Sequence, residues 1–278
     1  EDGIRDVERS RGLGDVYKRQ VQMSEFEFIS FERSDGRADL TMNHPPGNMM
    51  NAALLQEMLT ALDRVRDDET LKVLVIRGAN GTFCRGVAPG NLTMDEIGNL
   101  MPLYSRLFIY LNSIRGMILA VVEGEAFGTG CELTAFCDVT VAAEDARFGF
   151  PEITMGLFPP IATAILPRVI GRNRALDWIL SGREVSAVEA KDAHLVTRTV
   201  PHRELHEFAD VYADRIAGFS APAIVLAKRA VDGALYSPIM EALKTTESTY
   251  MIDLMNSIDP HEGLKAKIEG REPVWRNR

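Results

Sequence analysis

The 278-residue chain is 46% hydrophobic and 26% charged, with a net charge of −9, so it has the size and composition to bury a substantial core. The acidic balance argues against nucleic acid as the main partner, because phosphate binding wants a basic face, and leaves room for a small anionic ligand held by local donors. No apolar run reaches the roughly 18 residues of a membrane-spanning helix, and Cys84, Cys131 and Cys137 are too few and wrongly spaced for a disulfide framework or a zinc site.

Glu1–Gln22 carries five charges of each sign and little apolar periodicity. It has no apolar core of a secretory signal. It resembles a translated vector or adaptor sequence, so residues 1–22 are expected to be a non-native or disordered extension, with Met23 as the natural start. From there short strands and helices alternate. Phe26, Phe28, Ile29 and Phe31 open an extended segment, Ser34-Asp35-Gly36 turns it, and Ala38–Met42 returns as the second strand of a hairpin. His44-Pro45-Pro46-Gly47 interrupts regular structure. Leu55, Met58, Leu59, Leu62 and Val65 then fall at helical spacing over Ala52–Arg66, and Leu71–Ile76 is a continuous apolar run expected of a buried strand.

The plan repeats. Helical periodicity covers Asp95–Ser113, followed by a strand at Ile118–Val122, a glycine-rich bend at Gly128-Thr129-Gly130 and a short apolar helix at Cys131–Cys137. A strand at Val139–Ala142 leads to the loop Phe148-Gly149-Phe150-Pro151-Glu152. Beyond Gly171 the chain reads as helical over Asn173–Leu180, Ala187–Ala193, Glu204–Ala217, Ala223–Ala234 and, with breaks, Ile239–Glu269. Periodicity therefore gives an α/β chain with a helical last third, and by itself suits a doubly wound sheet equally well.

Two segments after strands are rich in small residues: Phe83-Cys84-Arg85-Gly86-Val87 and Gly124-Glu125-Ala126-Phe127-Gly128-Thr129-Gly130-Cys131-Glu132-Leu133. Neither is a dinucleotide fingerprint or a P-loop, and either alone reads as a tight turn. Together with Phe148-Gly149-Phe150-Pro151-Glu152-Ile153, they resemble the crotonase (enoyl-CoA hydratase/isomerase) superfamily in order and spacing. Pro45-Pro46-Gly47-Asn48, Ser186-Ala187-Val188-Glu189-Ala190 and Glu262-Gly263-Leu264-Lys265-Ala266 carry the resemblance from Phe26 to Trp275.

The resemblance implies a spiral of ββα units over residues 23–220 and a helical oligomerisation region over 221–278, in a homotrimer or homohexamer in the cytoplasm. It implies an acyl-CoA substrate, no cofactor beyond that thioester, and neither nucleic acid nor membrane as partner. The chemistry needs negative charge on the thioester oxygen to be met by two main-chain N–H groups, one such donor being worth about 3–4 kcal/mol. By motif these belong to Val87 and Thr129, with Gly86 and Gly128 letting the main chain approach the ligand. The acid–base carboxyls fall on Glu132 and Glu152, whose plain alternatives are a first-turn helix carboxylate and a surface acid. Phe158 is expected against the acyl group, and Arg85, Lys267 and Arg271 against the CoA phosphates, where solvated surface charge is the alternative. The histidines, His44, His194, His202, His206 and His261, show no metal spacing and are read as packing or surface residues.

Three departures bear on the substrate. The first loop lacks the acid many relatives carry after its glycine; Gly270 stands where the family has a C-terminal Lys; and Phe158-Pro159-Pro160-Ile161-Ala162 replaces a glycine-rich stretch. The Phe-Pro-Pro run, read as a rigid loop, and Tyr104 with Leu107-Phe108 resemble hydratases of cyclic dienoyl-CoA esters. Alternatives within the superfamily are an isomerase or a thioester or ring hydrolase, and outside catalysis an acyl-CoA-binding protein.

Overall fold

A hairpin opens the fold. In the computed structural model, which describes residues 25–278, β1 (Ile29–Ser34) and β2 (Arg37–Met42) pair antiparallel across the two-residue turn Asp35-Gly36, with Gly36 at φ +76°. The extension expected over 1–22 and the start at Met23 lie outside the described residues.

After the hairpin every neighbour in the main sheet is parallel. β3 (Val73–Gly78), β4 (Met117–Val122), β6 (Val139–Ala143) and β9 (Arg198–Val200) extend it in the order β1-β2-β3-β4-β6-β9. β3 and β4 are buried along nearly their whole length, which is why they read as unbroken apolar runs. A second sheet joins β5 (Glu125–Phe127), β7 (Arg147–Gly149) and β8 (Glu184–Ser186). Cys84 adds a single bridge to Ala126 at its edge.

The two sheets give the repeat its form. β3 runs into the Cys84 bridge and then the helix Met94–Ser113; β4 into β5 and the helix Thr129–Phe136; β6 into β7 and the helix Pro160–Ile170. Because β3, β4 and β6 are parallel, the segments leaving them emerge at the same, carboxyl end of the sheet, where open parallel sheets place their ligands. The helix Thr129–Phe136 is buried on all sides through Ala135, so it is a core helix rather than an amphipathic cover.

One expectation needs correction. Phe158-Pro159-Pro160-Ile161-Ala162, read as a rigid loop, is already helical from Pro160. Pro160 is the first residue of the helix Pro160–Ile170, where a missing N–H costs nothing and the fixed φ suits the first turn. β5, β8 and β9, three residues each, are too short to show a period.

From Ala221 the chain is helical: Ala221–Ala234, Ile239–Ser248 and Asp259–Glu269, with a π-helical turn over Thr249–Leu254. Lys228 ties the first of these to the core, its ammonium bonding Gly116 O at 3.0 Å and the Asp138 carboxylate at 2.7 Å; Asp138 in turn accepts the Ile118 N–H. Among the described residues no helix is long and apolar enough to cross a membrane.

The loop before Ala52 is held from within. Asn48 is buried at φ +52°, and its amide donates to Ala79 O at 3.0 Å and Thr82 O at 2.6 Å while its carbonyl oxygen accepts the His44 N–H at 2.9 Å. Replacing Asn48 by Ala unpairs these buried groups and keeps a positive φ that Ala resists. The expected loss is about 1–3 kcal/mol, read as a lower urea midpoint at unchanged slope.

Candidate active site

Three segments meet at the end of the sheet. Main-chain bonds from Cys84 N–H to Glu125 O (3.0 Å) and Phe127 N–H to Cys84 O (2.9 Å) fasten the first loop to β5, and Gly128 N–H to Gly149 O (2.9 Å) fastens β5 to β7. The far side of the first loop is held by Arg85 N–H to Gly47 O and Met50 N–H to Gly86 O. With Gly86 at φ +82° and Gly128 at φ +51°, the two glycine turns face each other. A Cβ built on Gly86 would stand 3.5 Å from both Gly128 Cα and Thr129 N.

The amides of Val87 and Thr129 follow directly on those glycines. Neither donates to any protein acceptor among the described residues. Thr129 is the first residue of its helix, Gly128 gives no side-chain cap, and so the positive end of the helix dipole is directed at the cavity. Two unengaged N–H groups on facing turns are the kind of donor pair that can meet one developing oxyanion.

A cavity of about 270 Å³ lies in front of them, and its lining includes Arg85, Gly86, Val87, Gly128, Thr129 and both glutamates. Glu132, one turn into the helix, is 1% exposed. Its Oε1 accepts the N–H groups of Ile161 (2.9 Å) and Ala162 (2.8 Å), so it caps the helix Pro160–Ile170 from outside. Burial pushes its carboxyl up to about 8; donation from the Ala162 N–H opposes this, and the Glu152 charge adds to it. Glu152, in the 3₁₀ turn Pro151–Met155, is also pushed up by burial, with its own N–H pulling the other way. Its Oε2 is sealed and has no hydrogen-bond partner among the described residues. A buried carboxylate oxygen with nothing to bond is a place for a water or a ligand atom.

The pair therefore holds a proton near neutrality, since burial and mutual repulsion disfavour charging both groups. The two glutamates differ in what holds them: Glu132 accepts two fixed donors at a helix N-terminus, whereas Glu152 Oε2 accepts none among the described residues. This asymmetry was not readable before the bonds to Ile161 and Ala162 were known.

Sequence expectations for the ligand-holding residues divide. Phe158 lines the mouth at 62% exposed, with Met155, Leu157 and Met94 beside it. Arg85 lines the cavity half-exposed, its guanidinium paired with Glu125 and its chain folded over Gly47. Lys267 and Arg271 are not among the lining residues. Both belong to the region of the helix Asp259–Glu269, and Arg271 is engaged by Glu262 (2.6 Å) and Glu269 (2.7 Å), so within this chain neither reaches the site. Sequence reasoning also passed over the wall made by Ile97, Leu100 and Met101, whose only signal is helical spacing. Among the described residues no three His, Cys, Asp or Glu side chains are grouped so as to hold a metal ion.

Comparison with known proteins agrees with this arrangement. A family model described as enoyl-CoA hydratase/isomerase matches residues 32–278. A probable mitochondrial enoyl-CoA hydratase of Dictyostelium discoideum is 33% identical over 250 residues, covering 87% of this chain and 89% of that one. The 2,3-dehydroadipyl-CoA hydratase of Escherichia coli is 32% identical over 242 residues, covering 86% and 94%. The crystal structure of an enoyl-CoA hydratase from Bacillus anthracis superposes with a TM-score of 0.86 at 28% identity, over 91% of this chain and all of that one.

Two outcomes follow from the geometry. A Cβ at Gly128 would run into the Glu152 carboxylate at a φ that L side chains resist, so Gly128→Ala displaces Glu152. Turnover of whatever acyl ester the protein processes should fall at least about 100-fold, in line with the loss of one positioned proton-transfer group. The second concerns stability. The folded carboxyl of Glu132, near 8, lies above its ordinary value of 4.5, so its contribution is fully present at acid pH and lost as pH rises towards 8. Glu132→Gln keeps an acceptor for Ile161 and Ala162 and escapes that loss. Its melting temperature relative to the parent protein should rise between pH 5 and pH 8.5, measured by calorimetry at each pH.

Proposed function

The chain belongs to the enoyl-CoA hydratase/isomerase family, and from that premise we propose that it adds water reversibly across the double bond of an α,β-unsaturated acyl-CoA. The observation that carries the reading is the pair of raised carboxyls, Glu132 and Glu152, sharing one cavity with the free amides of Val87 and Thr129. The thioester oxygen would accept both amides, and one glutamate of the pair, as the anion, would take a proton from water attacking the β-carbon. The other, protonated, would deliver the α-proton. Electron density moving onto the oxygen is met by fixed dipoles in a largely apolar enclosure, where such donors act most strongly. The reaction so drawn needs no cofactor besides the CoA thioester. An isomerase needs a single base, so the retention of two raised carboxyls favours hydration.

For the acyl group the reading extends to a cyclic dienoyl ester, cyclohexa-1,5-diene-1-carbonyl-CoA. Its support is the apolar wall of Ile97, Leu100 and Met101 and the rigid Phe158-Pro159-Pro160 entrance. A trimer or hexamer is part of the proposal: Ile239, Met240, Leu243, Met251, Ile252 and Ile268 are exposed apolar residues on the C-terminal helices of the single chain. A cytoplasmic setting belongs to it as well.

The test is the loss of the enoyl-thioester absorbance on crotonyl-CoA and on the cyclic diene, with product mass. Gain of one water is expected, fastest on the diene; release of free CoA would instead mark a hydrolase, and binding with no mass change an isomerase or a non-catalytic binder. Glu132→Gln and Glu152→Gln should each lower kcat by about 10²–10⁴. The profile of kcat/KM should be bell-shaped. Its alkaline limb falls where the pair loses its last proton and no acid remains, Glu132 itself giving up its proton at about 8.

A further inference from the structure

The wall built by the helix Met94–Ser113 is apolar except at one point. Ile97, Leu100 and Met101 present hydrocarbon to the cavity, and Tyr104, one turn beyond Leu100 and Met101, presents a phenol. Tyr104 is 5% exposed, and no hydrogen bond joins its hydroxyl to any described residue. Among the described residues the only side-chain oxygen or nitrogen both sealed and unpartnered is Glu152 Oε2. The Tyr104 hydroxyl, equally without a partner, is therefore not sealed, and its residue lines the cavity.

A buried tyrosine ordinarily finds a partner for its hydroxyl, since desolvating it unpaired costs free energy. This one is also held still. Its ring meets Phe108 edge-on at 5.3 Å, and Phe108 meets Phe136, the last residue of the Glu132 helix, at 5.2 Å. The hydroxyl is bonded to neither glutamate, so it stands outside the acid–base pair.

We infer that Tyr104 is a specificity residue that selects acyl-CoA esters bearing a neutral oxygen, a hydroxyl or ketone, on the acyl group away from the thioester. The inference rests on the acyl-CoA reading above. Charge decides against a carboxylate at that position. Arg85 is the single cation among the lining residues and is already paired with Glu125, while Glu132 and Glu152 make the cavity acidic. A neutral phenol can bond a neutral oxygen without that repulsion. The unsubstituted cyclic diene is on this view the parent skeleton, and its oxygenated relatives are the better ligands.

The experiment uses unreactive saturated esters, so it does not depend on turnover. Calorimetric affinities are compared for hexanoyl-CoA with 5-hydroxyhexanoyl-CoA, and for cyclohexanecarbonyl-CoA with 4-hydroxycyclohexanecarbonyl-CoA, with adipoyl-CoA as the charged arm. The intact protein should favour the hydroxylated member of at least one pair by about three- to tenfold and bind adipoyl-CoA more weakly than hexanoyl-CoA. Tyr104→Phe, which keeps the ring and its contacts, should bring that ratio to about one. Equal affinities within both pairs, a ratio unchanged in Tyr104→Phe, or preference for adipoyl-CoA overturns the assignment. Failure of every enoyl-CoA to gain water, with the ratio intact, would sink the hydratase reading and leave Tyr104 standing; binding of no ester would sink both.

Discussion

A short strip of main-chain bonds beyond the main sheet sets where the groups around the cavity stand. Cys84 pairs with β5, and β5 with β7, so three segments leaving three parallel strands are locked in register before any side chain is considered. Register in such a strip leaves little slack, because a slip by one residue would turn every side chain to the opposite face. The amides following Gly86 and Gly128 are brought together by that pairing, and Glu152 is delivered by the turn just after β7.

On that frame a second constraint acts, and it is electrostatic. Glu132 is fixed by the first turn of the helix Pro160–Ile170, and Glu152 has nothing to bond through Oε2. Burial raises both. A protein tolerates such a pair only where something offsets the cost, and the helix N-terminus offsets it for one member alone. The difference between two identical side chains thus comes from what surrounds them. Pro159 and Pro160, which look in sequence like a barrier to structure, start the helix that supplies the two donors.

Much of the frame is legible in the chain because burial leaves periods. The helices from Ala52, Met94, Leu205 and Ala221 announce themselves by apolar spacing, and β3 and β4 by unbroken apolar runs. The three-residue strands are not legible, since two or three alternations carry no period; nor is the Pro160 helix, whose opening prolines signal a break as readily as a start. The glutamates and glycines could be singled out by likeness to a family, whereas the bonds that distinguish Glu132 from Glu152 join residues about thirty positions apart. Arg271 shows what sequence hides in the other direction. A cation near the C-terminus looked free in sequence, and folding gives it Glu262 and Glu269. Tyr104 stood out only by likeness, and its importance comes from an absence of partners that no sequence can display.

The source of the two amide donors has a consequence for how such a site can change over time. A donor belonging to the main chain has no side chain to lose, so no single substitution other than proline deletes it, and otherwise only a change in the path of the loop can move it. The apolar wall of the cavity sits on a different element, the helix Met94–Ser113, and is made of ordinary side chains open to replacement. The main-chain donors are in this way insulated from drift, while the side chains that shape the cavity are free to vary. A lineage built on this frame can try new acyl groups one residue at a time without first giving up its chemistry.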